Sequence, residues 1–163
     1  MQEDYLRHLQ HLALASRLKR ISDKMIHSGR EMYKHLNVDI EPNWYLIFKL
    51  LKEKEELSVT EIAEYLQMSH PSIISIINKM ISSGYLNSRK CQHDGRKQLL
   101  SLSKKSKLQY EKLDKIWQAG TRGVANMIGD TDLLQALNHI EDQLDKKSFM
   151  EMTLENLEAD ERD

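Results

Sequence analysis

Residues 58–102 read SVTEIAEYLQMSHPSIISIINKMISSGYLNSRKCQHDGRKQLLSL. Ser58, followed three positions on by Glu61, has the form of a capping box. Its hydroxyl accepts from a free helical N–H, and the carboxylate accepts from the N–H of the cap itself. Ile62, Ala63 and Leu66 then give one apolar face. This helix is short because Gln67-Met68-Ser69 intervenes. Ser69 is a favoured N-cap for a second helix, and Pro71 falls in its first turn, where a missing N–H costs little. The second helix is predicted over about residues 70–83. Ile73, Ile76, Ile77 and Met80 fall at i, i+3, i+4, i+7 and form its buried face. His70, Ser72, Ser75, Asn78 and Lys79 lie opposite, Ile74 falls between the faces, and Gly84 is placed to end the helix as a left-handed cap.

Tyr85-Leu86 and Leu99-Leu100-Ser101-Leu102 read as strands on either side of residues 89–98. His93-Asp94-Gly95-Arg96-Lys97 reads as the turn, because Asp-Gly tolerates positive φ. From Asn87 through Lys107 there are seven Lys/Arg and one Asp, in a chain of formal net charge −1. Two helices and a basic hairpin make the pattern of a winged helix-turn-helix. In such a module the N-terminal half of the second helix enters the major groove. Short Ser side chains there bond phosphates or base edges, and an Ile meets a thymine methyl. A hairpin arginine, here Arg96, lies against phosphates or in the minor groove. The residues expected at DNA are Ser69, His70, Ser72, Ile74, Ser75, Asn78 and Lys79 on the helix, with Arg89, Arg96 and Lys97 on the hairpin. The plainer alternatives are a helical hairpin with a solvated face and a solvated basic loop.

The run Ser69-His70-Pro71-Ser72, then Asn78-Lys79-Met80, Gly84-Tyr85-Leu86, and Asp94-Gly95-Arg96-Lys97 ahead of Leu99-Leu100-Ser101-Leu102-Ser103 resembles the multiple-antibiotic-resistance regulator (MarR) family. The resemblance extends more loosely over about residues 5–150. In that family an Asp-x-Arg element marks the wing tip. The resemblance places it at Asp94 and Arg96, with Asp94 orienting the arginine by a charge-assisted bond, so Asp94 joins the expected DNA-binding set. One departure is Ser75, where family members often carry Arg or Lys; it leaves more of the readout to Lys79, His70 and the wing. The resemblance also implies a homodimer, most often a repressor. It further implies a small phenolic, aromatic or anionic effector held between the dimerisation and DNA-binding regions, which changes the spacing of the recognition helices. Candidate lining residues are Tyr33, Trp44, Tyr45 and Trp117, each of which also fits as plain core.

The fold class expected is mainly α with a small β-hairpin wing. At 163 residues the chain is expected to be a single domain. Within it, residues 37–102 form the winged helix-turn-helix core, residues 1–36 and 103–150 the dimerisation helices, and residues 151–163 an acidic tail. Two Pro and six Gly in the whole chain favour long helices. A net charge near zero excludes a surface that binds nucleic acid all over and requires a patch. No apolar run approaches a membrane span and no signal-peptide pattern opens the chain, so no membrane partner is expected and the cytoplasm is the expected location. The single Cys91 cannot form an internal disulfide, and redox sensing through it is the less favoured reading. No Gly-rich phosphate loop, nucleophile elbow or metal-ligand cluster appears, so neither an enzyme nor a cofactor is expected. His8 and His11 lie three apart without a third ligand, which favours a plain helix surface over a metal site.

Outside the central module, residues 4–36 read as one long helix. Leu14, Leu18, Ile21, Met25 and Met32 make a stripe, preceded by Leu6, Leu9 and Leu12. That is more apolar surface than a lone helix uses, so part is expected to meet a partner chain. Asn37-Val38-Asp39 breaks the helix. Pro42 opens the next, which Trp44, Leu46, Ile47, Phe48, Leu50 and Leu51 make a central core helix, and residues 52–56 read as a charged connector. Ser103 caps a helix running to about residue 128, within which Gly120 and Gly123 permit a kink or close packing. Gly129-Asp130-Thr131-Asp132 is a break. The last helix carries Leu133, Leu137, Ile140 and Leu144, a seam suited to a partner helix. From Glu151 on there are six acids and one Arg, read either as helix or as disorder.

With the reading module mid-chain and surplus apolar seams at both ends, the chain is expected to dimerise through its first and last two helices. Two recognition helices related by a two-fold axis require an inverted-repeat site on double-stranded DNA. The competing class is a winged-helix module that binds protein rather than DNA.

Overall fold

The computed structural model describes residues 3–91 and 97–160. The chain forms two compact units, a first that ends at Leu113 and a second that begins at Asp114. The first opens with α1 (Tyr5–His8), a 3₁₀ turn (Gln10–Ala13) and α2 (Leu14–His35). A second 3₁₀ turn (Pro42–Trp44) leads into α3 (Tyr45–Lys54), followed by β1 (Glu56–Ser58), α4 (Val59–Leu66), α5 (His70–Ser82), β2 (Leu86–Lys90) and β3 (Gln98–Leu102). The helix α6 (Lys104–Ile128) begins in the first unit; α7 (Leu133–Lys146) and α8 (Phe149–Asp160) belong to the second.

The core of the first unit gathers around Tyr85. Its ring meets Trp44 edge-on at 5.5 Å and Phe48 at 5.6 Å. Ile47, Phe48, Ile62, Ile73, Met80 and Leu100 are fully buried in the same unit. The local signals read from the sequence work as chemistry. Ser58 Oγ accepts from Glu61 N–H at 3.3 Å, and the Ser58 N–H donates back to Glu61 Oε2 at 2.7 Å. Gly84 sits at φ 74°; its N–H reaches Ile81 O and the Tyr85 N–H reaches Met80 O, the paired bonds that close a helix on a left-handed residue. Ser103 accepts from Ser106 N–H at 3.2 Å and starts α6. The Ser103 hydroxyl donates to Gly84 O at 2.7 Å, which ties the start of α6 to the end of α5.

Four expectations need correction. The N-terminal helix is not continuous over residues 4–36. Gln10 takes a left-handed φ of 47°, and Asp4 binds Arg20 with both oxygens at 2.9 and 3.0 Å. Sixteen residues of unbroken helix would hold those side chains about 24 Å apart, so the ion pair requires the chain to turn back. The charged connector ends in a strand: β1 pairs antiparallel with β3, Leu57 opposite Leu100, giving a three-stranded sheet in the order β1-β3-β2. The wing is thus a hairpin with a third strand along its inner edge. On its outer side β2 runs to Lys90, beyond the two residues anticipated. Finally, α7 is not the last helix. Ser148 and Glu151 form a second capping box and start α8 at Phe149, from where it runs into the acidic tail, the helical one of its two readings.

In the second unit α6 runs through Gly120 and Gly123 without interruption, and a Cβ at either would meet nothing within 4 Å among the described residues. The close packing these glycines permit is therefore not used among the described residues.

Candidate nucleic-acid interface

One face of α5 is set by burial and the other is left open. Ile73, Ile76, Ile77 and Met80 are buried, as the spacing predicted. The open face presents His70, Pro71, Ser72, Ile74, Ser75, Asn78, Lys79 and Ser82, all exposed. Ile74 keeps 38% of its surface open despite being aliphatic. Ser69 stands at the N-cap position, but its hydroxyl does not bond the backbone. It lies 2.8 Å from the Ser72 hydroxyl instead, which links two of the predicted contact residues at the start of the helix.

The hairpin adds positive charge beside this helix. Lys90 and Lys97 are exposed, and the Cys91 N–H donates to Lys97 O at 2.9 Å, which closes the described part of the hairpin. Arg89 is on β2, where its Nε donates to Glu56 Oε1 at 2.7 Å across the sheet. Glu61 is held below the ordinary carboxylate range, first by the Ser58 hydroxyl and then by the Ser58 N–H, with a smaller part from the Lys97 charge. Lys97 is therefore felt at the start of α4. The predicted wing-tip residues Asp94 and Arg96 lie outside the described residues.

A cavity of about 540 Å³ opens along one flank of α5. Ser72, Ser75 and Lys79 form one wall, with Trp44, Arg30 and Glu41 opposite. The Arg30 Nε donates to Glu41 Oε2 at 2.8 Å, so these two charges are paired at its rim. Of the four predicted effector residues only Trp44 lines this space. Tyr33 is buried on α2, Tyr45 is 42% exposed on α3, and Trp117 belongs to the second unit. Arg30 and Glu41 were not singled out from the sequence. They are eleven positions apart across the break after α2, and no periodic signal joins them. Among the described residues no group of three His, Cys, Asp or Glu could hold a metal ion, and no helix is long and apolar enough to cross a membrane.

A family model described as MarR family matches residues 38–97. No curated protein sequence matches the chain. Among solved structures, MepR of S. aureus in complex with DNA superposes with a TM-score of 0.66 at 14% identity, covering 81% of this chain and 96% of that one. A mutant MarR of E. coli complexed with operator DNA gives 0.66 at 13% identity, covering 87% and 99%. NadR in complex with 4-hydroxyphenylacetate gives 0.57 at 17% identity, covering 88% and 96%. At these identities the structural likeness shows the fold.

Proposed function

We propose, from the match of a MarR family model to residues 38–97, that the chain is a sequence-specific, DNA-binding transcriptional regulator that acts as a homodimer on an inverted-repeat operator, as a repressor in the cytoplasm. The observation that carries the reading is the open face of α5: a polar strip, held rigid by four buried side chains, beside a hairpin that carries Lys90 and Lys97. A helix enters the major groove side-on, and its positively charged neighbour supplies the sequence-independent attraction to phosphates.

Dimerisation is supported by the apolar residues each unit leaves uncovered. On α2, Leu14, Leu18, Ile21, Met25 and Met32 keep between 37% and 51% of their surface exposed. In the second unit Leu133, Leu144, Phe149, Leu154 and Leu157 keep 42% or more. Such surface is rarely left to water on a soluble monomer. A second copy of the chain covers it with the same residues, which makes the assembly two-fold and the DNA site palindromic.

A small aromatic or anionic effector fits the cavity beside α5, with the Trp44 ring and the Lys79 cation as its chemistry and the paired Arg30 and Glu41 at its rim. Its occupant and DNA would both use Ser72, Ser75 and Lys79, so each weakens the other by the same factor. The function is tested by fluorescence anisotropy with duplexes from the chain's own upstream region, over a salt series, with and without 4-hydroxyphenylacetate as the first probe. Tight binding to one inverted-repeat duplex, falling linearly in log K against log salt, is the expected result. Equal, salt-insensitive binding to every duplex contradicts it and favours a protein-binding module.

A further inference from the structure

The open face of α5 carries a selective set of base-reading chemistry. Guanine is read in the major groove chiefly by Arg or Lys, cytosine by an acidic acceptor, adenine by Asn or Gln, and the thymine methyl by an apolar side chain. From His70 to Ser82 the helix has no Arg, no acid and a single Lys. It does have Asn78 and the exposed Ile74, four positions apart and so one above the other on the same strip. Lys79 and Ser75 line the cavity on one flank, whereas Ile74 and Asn78 do not. The helix thus has two sides: a cationic flank toward Trp44 and Arg30, and an Ile–Asn pair away from it.

Ile74 is informative because it is an aliphatic side chain outside the buried core that keeps 38% of its surface open. The buried residues of α5 are Ile73, Ile76, Ile77 and Met80, and a β-branched side chain is a poorer choice than a straight one at an exposed helical position. Its branching fixes one χ1 rotamer in a helix, so the side chain offers a pre-set apolar surface at little entropic cost. That suits packing against a methyl group that protrudes into a groove.

We propose that each half-site read by α5 is built around A·T pairs, with Ile74 packed on a thymine C5 methyl and Asn78 bonded bidentately to the N6/N7 edge of an adenine. This rests on the DNA-reading function above and names its specificity. Ser69 and Ser72, whose hydroxyls share a hydrogen bond at 2.8 Å, then serve the backbone of the same half-site rather than a base.

The test uses full-length protein and a random duplex pool, enriched by repeated binding and then sequenced. The best duplex is resynthesised with deoxyuridine in place of each half-site thymidine, which removes the methyl and leaves the pairing. The expected result is A·T-rich half-sites, with a loss of about fourfold for the contacted thymine. That loss disappears in Ile74→Ala, while Asn78→Ala relaxes the preference at an adjacent A·T pair. Enrichment of half-sites centred on G·C, or a deoxyuridine loss that is the same in Ile74→Ala as in the parent, overturns the assignment and leaves the regulator reading in place. Failure to enrich any sequence overturns the regulator reading itself, and this assignment with it.

Discussion

Arg89 on β2 reaches across the central strand to Glu56 on β1, its Nε 2.7 Å from Oε1 with a second contact through Nη2. The hairpin's charge is therefore smaller than its sequence suggests. One of its arginines is already paired, and its pKa is raised first by that bond. The side chain is still 54% exposed, so the pair holds the arginine in place at the base of the wing without hiding it. Glu56→Gln releases Arg89 to phosphate. The expected outcome is a steeper salt dependence, by about 0.9 in slope per protomer, with little change in thermal stability because the pair is exposed. A slope equal to the parent's would show that Arg89 does not reach DNA.

The capping box at Ser58 makes a pH prediction. The Ser58 hydroxyl and N–H hold the Glu61 carboxyl below its ordinary value of 4.5. A carboxyl whose folded pKa is depressed stabilises the fold fully above its unfolded pKa, and that contribution is lost as the pH falls through the lower folded value. Denaturant unfolding followed from pH 7 to pH 3 is therefore expected to show an acid loss that is smaller in Glu61→Gln. Glu151, depressed by Ser148 in the same way, keeps its own share. At neutral pH, Ser58→Ala is expected to cost about 1 kcal/mol.

The stripe on α2 predicts assembly. Ile21 is 51% exposed, so Ile21→Asp leaves the fold of one chain intact while placing a charge in the proposed interface. Sedimentation equilibrium is expected to give a dimer for the parent and a monomer for the variant, with unchanged helical circular dichroism. A variant that remains dimeric would move the interface off α2.

Phe48 is fully buried and edge-on to Tyr85. Phe48→Ala is expected to cost about 3–5 kcal/mol in the unfolding of the first unit. Since α5 is held by the same core, DNA affinity should fall with the folded fraction and recover where the protein is kept folded at lower temperature.

Much of this was legible in the sequence because it is local chemistry. The Ser58–Glu61 box, the Gly84 stop and the i, i+3, i+4, i+7 stripe of Ile73, Ile76, Ile77 and Met80 on α5 each depend on neighbours within one turn or two. The features that escaped are of two kinds. The strand β1 is only three residues long, and its pairing with β3 reaches 43 positions away at Leu57 and Leu100; no periodicity marks so short a strand. The Asp4–Arg20 pair and the Arg30–Glu41 rim likewise join residues that a break brings together. The start of α8 is a different case: Ser148 followed by Glu151 is the same cap signal as Ser58 and Glu61, and the acids after it drew the reading toward a tail. At the interface, the open face of α5 was legible residue by residue. The engagement of Arg89 by Glu56 was not, because it depends on the unforeseen strand.

The central claim is that α5 and the basic hairpin form one DNA-reading surface. Anisotropy titrations of the parent, Lys79→Glu and Lys97→Glu against a single upstream duplex over a salt series test it most directly. The account predicts that each reversal weakens binding at every salt concentration and flattens the log–log slope, one acting from the helix and the other from the wing. Parent-like affinity and slope in both variants would contradict it.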